Sequence, residues 1–216
     1  MPELLPPDDD LELIHTRTYE TRVYYVSDTE LLVRGAVRDT KPPGLYVSED
    51  SGTLDIHEMH VELRVSIPEL TIRKVEVLFE THPTAQCPHI TGHYENLVGL
   101  SIARGFTHKI RELFGGPRGC THTTALLQAM APAVVQSMWS VSFRNARRAP
   151  TEVGGPPPAQ VNRDKMFAGN LNTCHVWAED GEHVESIRRG EMPPPPLPVT
   201  KRLEELGRDP SEWRKR

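Results

Sequence analysis

Each of the three cysteines in the chain lies within two residues of a histidine. The pairs are Cys87 with His89, Cys120 with His122, and Cys174 with His175. Thiolates and imidazoles are preferred protein ligands of zinc and iron. Because the sequence contains neither a CxxC nor an HExxH motif, the ligands of a shared site have to come from distant segments. We therefore predict a zinc or iron site whose ligands are Cys87, Cys120, His122, Cys174 and His175.

A second chemistry is open to Cys120, because it closes the glycine-rich stretch GGPRGC just before a helical pattern begins. A thiol at a helix N-terminus meets free backbone N–H groups and the positive end of the helix dipole, which favour the thiolate. Cys120 could thus be the nucleophile of an enzyme that needs no metal. The simpler alternative is that Thr121 caps the helix, while Cys87 and Cys174 are small buried apolar residues.

A catalytic metal site also needs a group that accepts a proton, and the N-terminal half offers two candidates. His57 falls on the apolar side of an alternating strand, so we predict that it faces the interior. His60 falls on the opposite side and is predicted to face solvent. Asp39 ends a strand close to Lys41, where it forms either an exposed ion pair or part of a cleft. We predict that His57 and Asp39 are the acid–base residues.

The pattern of apolar residues predicts strands in the first part of the chain and helices after it. Between residues 11 and 80, apolar and polar residues alternate, most clearly from Met59 to Val65, which predicts an antiparallel sheet of about four strands. Between residues 88 and 143 the spacing becomes helical and predicts three helices. The last of these begins near Cys120 and contains Pro132, which is expected to kink or split it.

These elements predict an α+β fold, in which an N-terminal antiparallel β-sheet packs on three helices and a small β appendage follows. Residues 11–190 are predicted to form a single domain, with residues 144–170 as a surface connection and residues 171–190 as the β appendage. Residues 1–10 are predicted to be a disordered acidic leader. Residues 191–216 are predicted to be a disordered proline-rich tail, with a short charged helix after Thr200 as an alternative for its last residues.

Composition narrows the partners and the compartment. The formal net charge of -5 argues against nucleic acid and anionic membranes as partners. The chain has no apolar run near the roughly 20 residues that a membrane-spanning helix needs, and its acidic N-terminus does not resemble a signal peptide. Three cysteines fit a reducing cytoplasm better than a disulfide framework. We predict a cytoplasmic protein that acts on a small molecule, and the sequence leaves its oligomeric state open.

Five stretches stand in this order between about residues 14 and 178: RGAVRDTK, IHEMHVELRV, CPHITGHYENLVGLSIARGF, LFGGPRGCTHTTALL and NTCHVW. Together they resemble a bacterial family described as domain of unknown function 2889, and GGxxGCTH is the most specific element of the resemblance. The resemblance implies no particular activity. It implies that the following residues stand at motif positions of the family: Asp39, His57, Cys87, Cys120, His122 and Cys174.

Three functions remain in competition. The preferred one is a cytoplasmic metal-binding protein that is an enzyme acting on a small molecule through its Cys/His site. The second is a non-catalytic scaffold or accessory protein for a metal or an iron–sulfur cluster. It is suggested by the order of a sheet, a cysteine, a helix and a glycine-rich turn with a second thiol, which is similar to the small scaffolds on which such clusters are assembled. The third is a metal-free enzyme with Cys120 as its nucleophile.

Overall fold

The computed structural model describes Leu5, Asp8 and residues 10–103, 105–148 and 167–215. The chain divides into two compact units, Met1–Met138 and Trp139–Arg216. A four-stranded antiparallel sheet lies in the first unit, and the described residues of the second unit form helices and loops. The α+β class predicted from the sequence is confirmed.

The sheet is a meander in which each strand pairs with the next one along the chain. Its strands are β1 (Thr16–Ser27), β2 (Glu30–Lys41), β3 (Leu54–Ser66) and β4 (Thr71–Thr81). They lie in the order β1-β2-β3-β4, and all three pairs are antiparallel. β1 and β4 are therefore the two edges of the sheet.

One face of the sheet carries the core of the first unit. The alternation predicted for β3 is confirmed, because Met59, Val61, Leu63 and Val65 are each no more than 1% exposed. β2 adds Leu31, Val33 and Val37, all fully buried. At Gly35 the same face has no side chain, and a Cβ there would overlap the Sδ of Met130. The glycine thus lets the helix that carries Met130 pack closely on the strand.

Four helical segments follow the sheet. They are a 3-10 helix (Cys87–Leu97), α1 (Phe106–Phe114), a single 3-10 turn (Gly116–Arg118) and α2 (Thr121–Arg148). The first of the three predicted helices is therefore a 3-10 helix rather than an α-helix. α2 begins where predicted and runs through Pro132 without a break in the assigned helix. Buried apolar residues on α1 and α2, among them Ile110, Phe114 and Leu127, complete the core.

The second unit corrects two predictions. The segment predicted as a β appendage contains a 3-10 turn (His175–Trp177) and α3 (Glu182–Arg188) instead of strands. Glu182 and Glu185 lie in the first turn of α3, where carboxylates favour the helix dipole, and Val184 is buried. Within the tail predicted to be disordered, α4 (Leu197–Glu205) and a 3-10 helix (Pro210–Lys215) are present.

Some predicted segments lie outside the described residues. Most of the predicted leader does, as do residues 149–166 of the predicted surface connection. Residues 144–148 of that connection belong to the end of α2. In the part of the chain that the structure describes, no helix combines the length and apolar character that crossing a membrane requires.

Candidate functional site

Three neighbouring strands place three polar residues side by side at one end of the sheet. Arg17 of β1 is directly opposite Asp39 of β2, and Asp39 is directly opposite His57 of β3. Residues opposite each other in an antiparallel pair point to the same face, so these side chains form a row on the covered face. A bulge between Asp39 and Thr40 shifts the register directly after this row, so that Thr40 is opposite Asp55.

Asp39 is the centre of the row and is only 2% exposed. The Arg17 guanidinium grips it with two hydrogen bonds, from Nε to Oδ1 and from Nη2 to Oδ2, both of 2.6 Å. These hydrogen bonds hold the pKa of Asp39 far below its ordinary value and raise the pKa of Arg17. The carboxylate is therefore ionised at neutral pH although it is buried.

Two histidines from different elements meet the same oxygen of Asp39. His122, in the first turn of α2, places Nε2 at 3.0 Å from Oδ2, and His57 places Nδ1 at 3.1 Å from it. The two imidazole rings stack with their centroids 3.9 Å apart. A third histidine, His15, has its Nε2 at 3.4 Å from Oδ1. One buried carboxylate thus collects an arginine and three histidines.

The protonation of His122 follows from its surroundings. Burial lowers its pKa, and the nearby His57 and Arg17 lower it further, against the opposing effect of Asp39. His122 is therefore neutral at neutral pH. A neutral ring that hydrogen-bonds a carboxylate through Nε2 carries its proton there, which leaves Nδ1 as an acceptor. That nitrogen faces the Sγ of Cys120 at 3.8 Å.

The glycine-rich turn sets the start of α2. Arg118 donates from Nε to the carbonyl of Glu112 (2.9 Å) and from Nη2 to that of Arg111 (3.3 Å), and so caps the end of α1. At Gly119 a Cβ would lie 2.6 Å from the carbonyl oxygen of Phe114, which is too close for any other residue to fit without a shift. The turn is therefore tight enough to begin α2 directly above the sheet.

Tyr94 fastens this helix start from the 3-10 helix. Its hydroxyl accepts a 2.8 Å hydrogen bond from the backbone N–H of Cys120 and donates a 3.4 Å bond to the Cys120 carbonyl. The ring is fully buried and stacks on Phe114 at 4.8 Å. Burial raises the pKa of Tyr94, so the phenol stays protonated and both bonds persist at neutral pH. His122, two residues on, is thereby held over Asp39.

The structure brings together only part of the predicted site. Among the described residues, one group of three or more potential metal ligands shares a common point: Asp39, His57 and His122, whose ligand atoms all lie within 4.8 Å of one another. It contains one residue predicted as a ligand and both residues predicted as acid–base groups. Cys120 lies next to it, through its contact with His122.

The other predicted ligands are not members of this group. Cys87 is half-buried, and its Sγ lies 3.0 Å from the Oγ1 of Thr84. Cys174 is exposed, and His175 begins the 3-10 turn of the second unit. His60 lies on the other face of β3, where it contacts the Oε1 of Glu58 at 2.8 Å.

Three participants have no signal in the sequence that could have found them. Arg17 and His15 reach Asp39 only because of the register between β1 and β2, which the alternating pattern does not define. Tyr94 has the spacing of an ordinary apolar helix residue. The sequence allows Asp39 either an exposed ion pair or a place in a cleft, and in the structure the residue is buried. Its ion pair is with Arg17, while the Lys41 amine lies over the Tyr46 ring.

Residues 15–136 match the model of a family described as a protein of unknown function (DUF2889). The chain belongs to this family. The matched range contains all three residues of the group, together with Cys120, whereas Cys174 and His175 lie outside it. No curated protein and no solved structure matches the chain. The DUF2889 match thus covers the sheet and the start of α2.

Proposed function

We propose that the protein binds a zinc or iron ion through Asp39, His57 and His122 and uses it as an enzyme on a small molecule. The observation that carries this proposal is the convergence of two imidazole nitrogens on one buried carboxylate oxygen. Three cysteines without a disulfide partner support a reducing, cytoplasmic location for it.

The spacing of the donor atoms fits a small metal ion. In a tetrahedral zinc site with bonds of about 2.0–2.1 Å, two ligand atoms are about 3.3 Å apart. Both nitrogens lie 3.0–3.1 Å from Asp39 Oδ2, close to this spacing, and all three ligand atoms lie within 4.8 Å of one another. Two histidines and one carboxylate are also a common donor set for zinc and for non-haem iron in enzymes.

The groups around the three donors are those that a metal site uses in its outer shell. Ligand carboxylates and imidazoles are oriented by hydrogen bonds to their remaining atoms. Arg17 holds Asp39. A metal ion on Nε2 of His122 would take the place of the proton there, and the neutral ring would then carry its proton on Nδ1, the nitrogen that faces Cys120. Three protein ligands leave coordination positions for water or substrate, as catalytic sites require. The side chains of His57 and His122 are 21% and 13% exposed, so both proposed metal ligands can be reached from solvent.

The test is the metal content of protein purified without chelators. We expect about one zinc or iron ion per chain in the wild type, and little in the His57→Gln and His122→Gln variants, because each loses one of three ligands. His60→Gln is the matched control, since it makes the same change on the other face of the same strand. Metal content that survives both ligand substitutions would contradict the proposal.

A second function is favoured by a different pair of distances. His122 contacts Asp39 Oδ2 through Nε2 at 3.0 Å and faces Cys120 Sγ through Nδ1 at 3.8 Å. A carboxylate that orients a neutral imidazole next to a thiol is the arrangement of a cysteine nucleophile and its base. In this function Cys120 attacks the substrate, His122 takes the thiol proton, and no metal takes part.

Alkylation separates the two functions. A metal-free nucleophile predicts that Cys120 reacts with iodoacetamide faster than Cys87 and Cys174, and that His122→Gln removes this difference. The metal-bound enzyme predicts instead that chelator treatment changes the reactivity of Cys120, because its neighbour His122 is released from the metal.

A further inference from the structure

β1 is an unprotected edge of the sheet. At the opposite edge, the segment after the 3-10 helix pairs with the start of β4, where Ile72 N–H donates to the Leu100 carbonyl (2.9 Å) and Gly99 N–H donates to the Ile72 carbonyl (2.9 Å). No described strand lies beyond β1. Edge strands commonly avoid further pairing through proline, charged residues (lysine above all) or a bulge. The sequence TRTYETRVYYVS contains neither proline nor lysine, and its bulge lies at the end of the strand, between Tyr25 and Ser27. The strand is also long, at 12 residues.

Large apolar side chains are exposed along this edge. Tyr19, Tyr24 and Val26 are 41%, 39% and 47% exposed, while the covered face of the neighbouring β2 is fully buried at Leu31, Val33 and Val37. Tyr19 lies on the covered face of the sheet, and Tyr24 and Val26 lie on the other one. Apolar surface therefore meets solvent on both faces of the same strand, as at an edge that continues into another strand.

The charges of Glu20 and Arg22 favour a second copy of β1 as the strand that pairs with this edge. A twofold axis perpendicular to the sheet relates two antiparallel β1 strands and leaves each side chain on the same face in both copies. Opposite residues of an antiparallel pair point to the same face, so the axis has to pass between the two copies of one residue, which we use to name the axis. An axis at Thr21 sets Glu20 of each copy opposite Arg22 of the other. An axis at Glu20 or Arg22 would set like charges opposite each other, which destabilises a strand pair.

The axis at Thr21 also brings apolar residues of the two copies into contact. It sets Tyr19 of one copy opposite Val23 of the other, an aromatic and β-branched pair of the stabilising kind. Regular pairing extends from Arg17 to Tyr25, as far as the bulge between Tyr25 and Ser27, and so uses most of the strand. Axes at Tyr19 or Val23 leave each of the two charges opposite an uncharged residue.

We propose that two copies of this chain associate through β1, antiparallel and centred on Thr21, to form one continuous eight-stranded sheet. The proposal does not depend on the metal site, because it rests on the edge of the sheet and on two exposed charges. Glu20 and Arg22 contact each other within one strand as well, so the test has to separate contacts within a chain from contacts between chains.

The test is the mass of the full chain in solution, measured by sedimentation up to ~100 µM, where even a complex of micromolar affinity is formed. We expect a dimer for the wild type and monomers for Glu20→Arg and for Arg22→Glu, each of which sets four like charges around the axis. A one-to-one mixture of the two variants should form a heterodimer, since every Arg then faces a Glu across the axis. The double variant Glu20→Arg/Arg22→Glu should again be a dimer.

Three results would overturn the proposal. A monomeric wild type at all concentrations excludes association. Single variants that remain dimeric show that the chains associate through another surface. Monomeric single variants whose mixture stays monomeric show that the charges do not face each other between copies. Glu20 and Arg22 are exposed, so all variants are expected to fold, and circular dichroism checks this.

Discussion

Asp39 is the residue on which the geometry of the site depends. Its two oxygens bind the Arg17 guanidinium, both stacked imidazoles contact Oδ2, and His15 approaches Oδ1. An ionised carboxylate can be buried only when such partners replace water. The same negative charge that holds these groups together in the metal-free protein is available to a metal ion.

Replacement of Asp39 should cost stability even without metal. We expect Asp39→Asn to lower the free energy of unfolding by about 2 kcal/mol, because the charged hydrogen bonds to Arg17 are lost or weakened. Urea unfolding of chelator-treated protein measures this. Glu62→Gln is the control, since Glu62 pairs with Arg34 at the surface and such pairs contribute less than about 1 kcal/mol. Equal losses would show that Asp39 is not a buried partner.

His122 should make the stability of the metal-free protein depend on pH. Its pKa in the folded protein is below the ordinary value, chiefly because it is buried. As the pH falls below about 6.5, the unfolded chain therefore takes up a proton before the folded protein does, and stability decreases. Melting temperatures between pH 7.5 and 5, measured with chelator present, check this. A His122→Gln variant should show a smaller decrease, and an unchanged slope would contradict the assignment.

Among the elements, α2 is positioned by residues that lie outside it. The 3-10 helix contributes Tyr94, and the tight turn contributes Gly119. Both fix the point at which α2 begins, and this point decides whether His122 reaches Asp39. The function of GGPRGC is thus to start a helix at one exact place above the sheet.

Removal of the Tyr94 hydroxyl should loosen this helix start. We expect Tyr94→Phe to destabilise the protein by about 1 kcal/mol, because the Cys120 N–H loses its buried partner. Metal binding should weaken as well, since His122 is less firmly placed. Calorimetric titration with zinc measures the affinity. Tyr46→Phe, at a tyrosine that is 60% exposed and lies outside β1, serves as the control and should change neither quantity.

Adding one methyl group at Gly119 should destabilise the protein, because the turn there is tight. Gly119→Ala is expected to cost about 1–3 kcal/mol, because the added carbon meets the carbonyl of Phe114 and the turn must shift. Gly92→Ala is the matched control, since a Cβ at Gly92 has no neighbour within 4 Å. Thermal unfolding of both variants tests the difference. A Gly119→Ala protein as stable as Gly92→Ala would mean that the turn can relax freely.

The strands were predictable because each carries its own signal. Alternation from Met59 to Val65 defined the buried face of β3, and it also placed His57 on that face. The second unit was harder to predict because its segments are short. The spacing of Val184 and Ile187 fits one turn of helix as well as a strand pair. The acidic first turn of α3 decides for the helix.

At the scale of the whole molecule, the site exists only after three separate pairings are in place. The β1–β2 and β2–β3 registers bring Arg17, Asp39 and His57 into one row, and the packing of α2 adds His122. Sequence patterns predict faces of elements but not which residues of two elements are opposite each other. The ligand set predicted from the sequence combines cysteines with histidines that are adjacent to them in sequence. The fold instead brings together a carboxylate and two histidines.

Removing the predicted ligands of the second unit should leave the metal in place. We expect the double variant Cys174→Ser/His175→Gln to retain the metal content of the wild type, because all three proposed ligands lie in the first unit. Elemental analysis of the purified variant gives the answer. Loss of the metal from this variant would restore the ligand set predicted from the sequence.

The cobalt spectrum of the chelator-treated protein is the sharpest test of the proposed metal site. Cobalt(II) follows zinc in its choice of ligands, and its visible bands report the coordination geometry, whereas thiolate ligands add an intense charge-transfer band in the near ultraviolet. A site built from one carboxylate and two imidazoles predicts saturation at one cobalt ion per chain, with no thiolate band. Binding should be lost in His57→Gln and retained in His60→Gln. A thiolate band that disappears with Cys87 or Cys174, or the absence of binding, would contradict a site built from Asp39, His57 and His122.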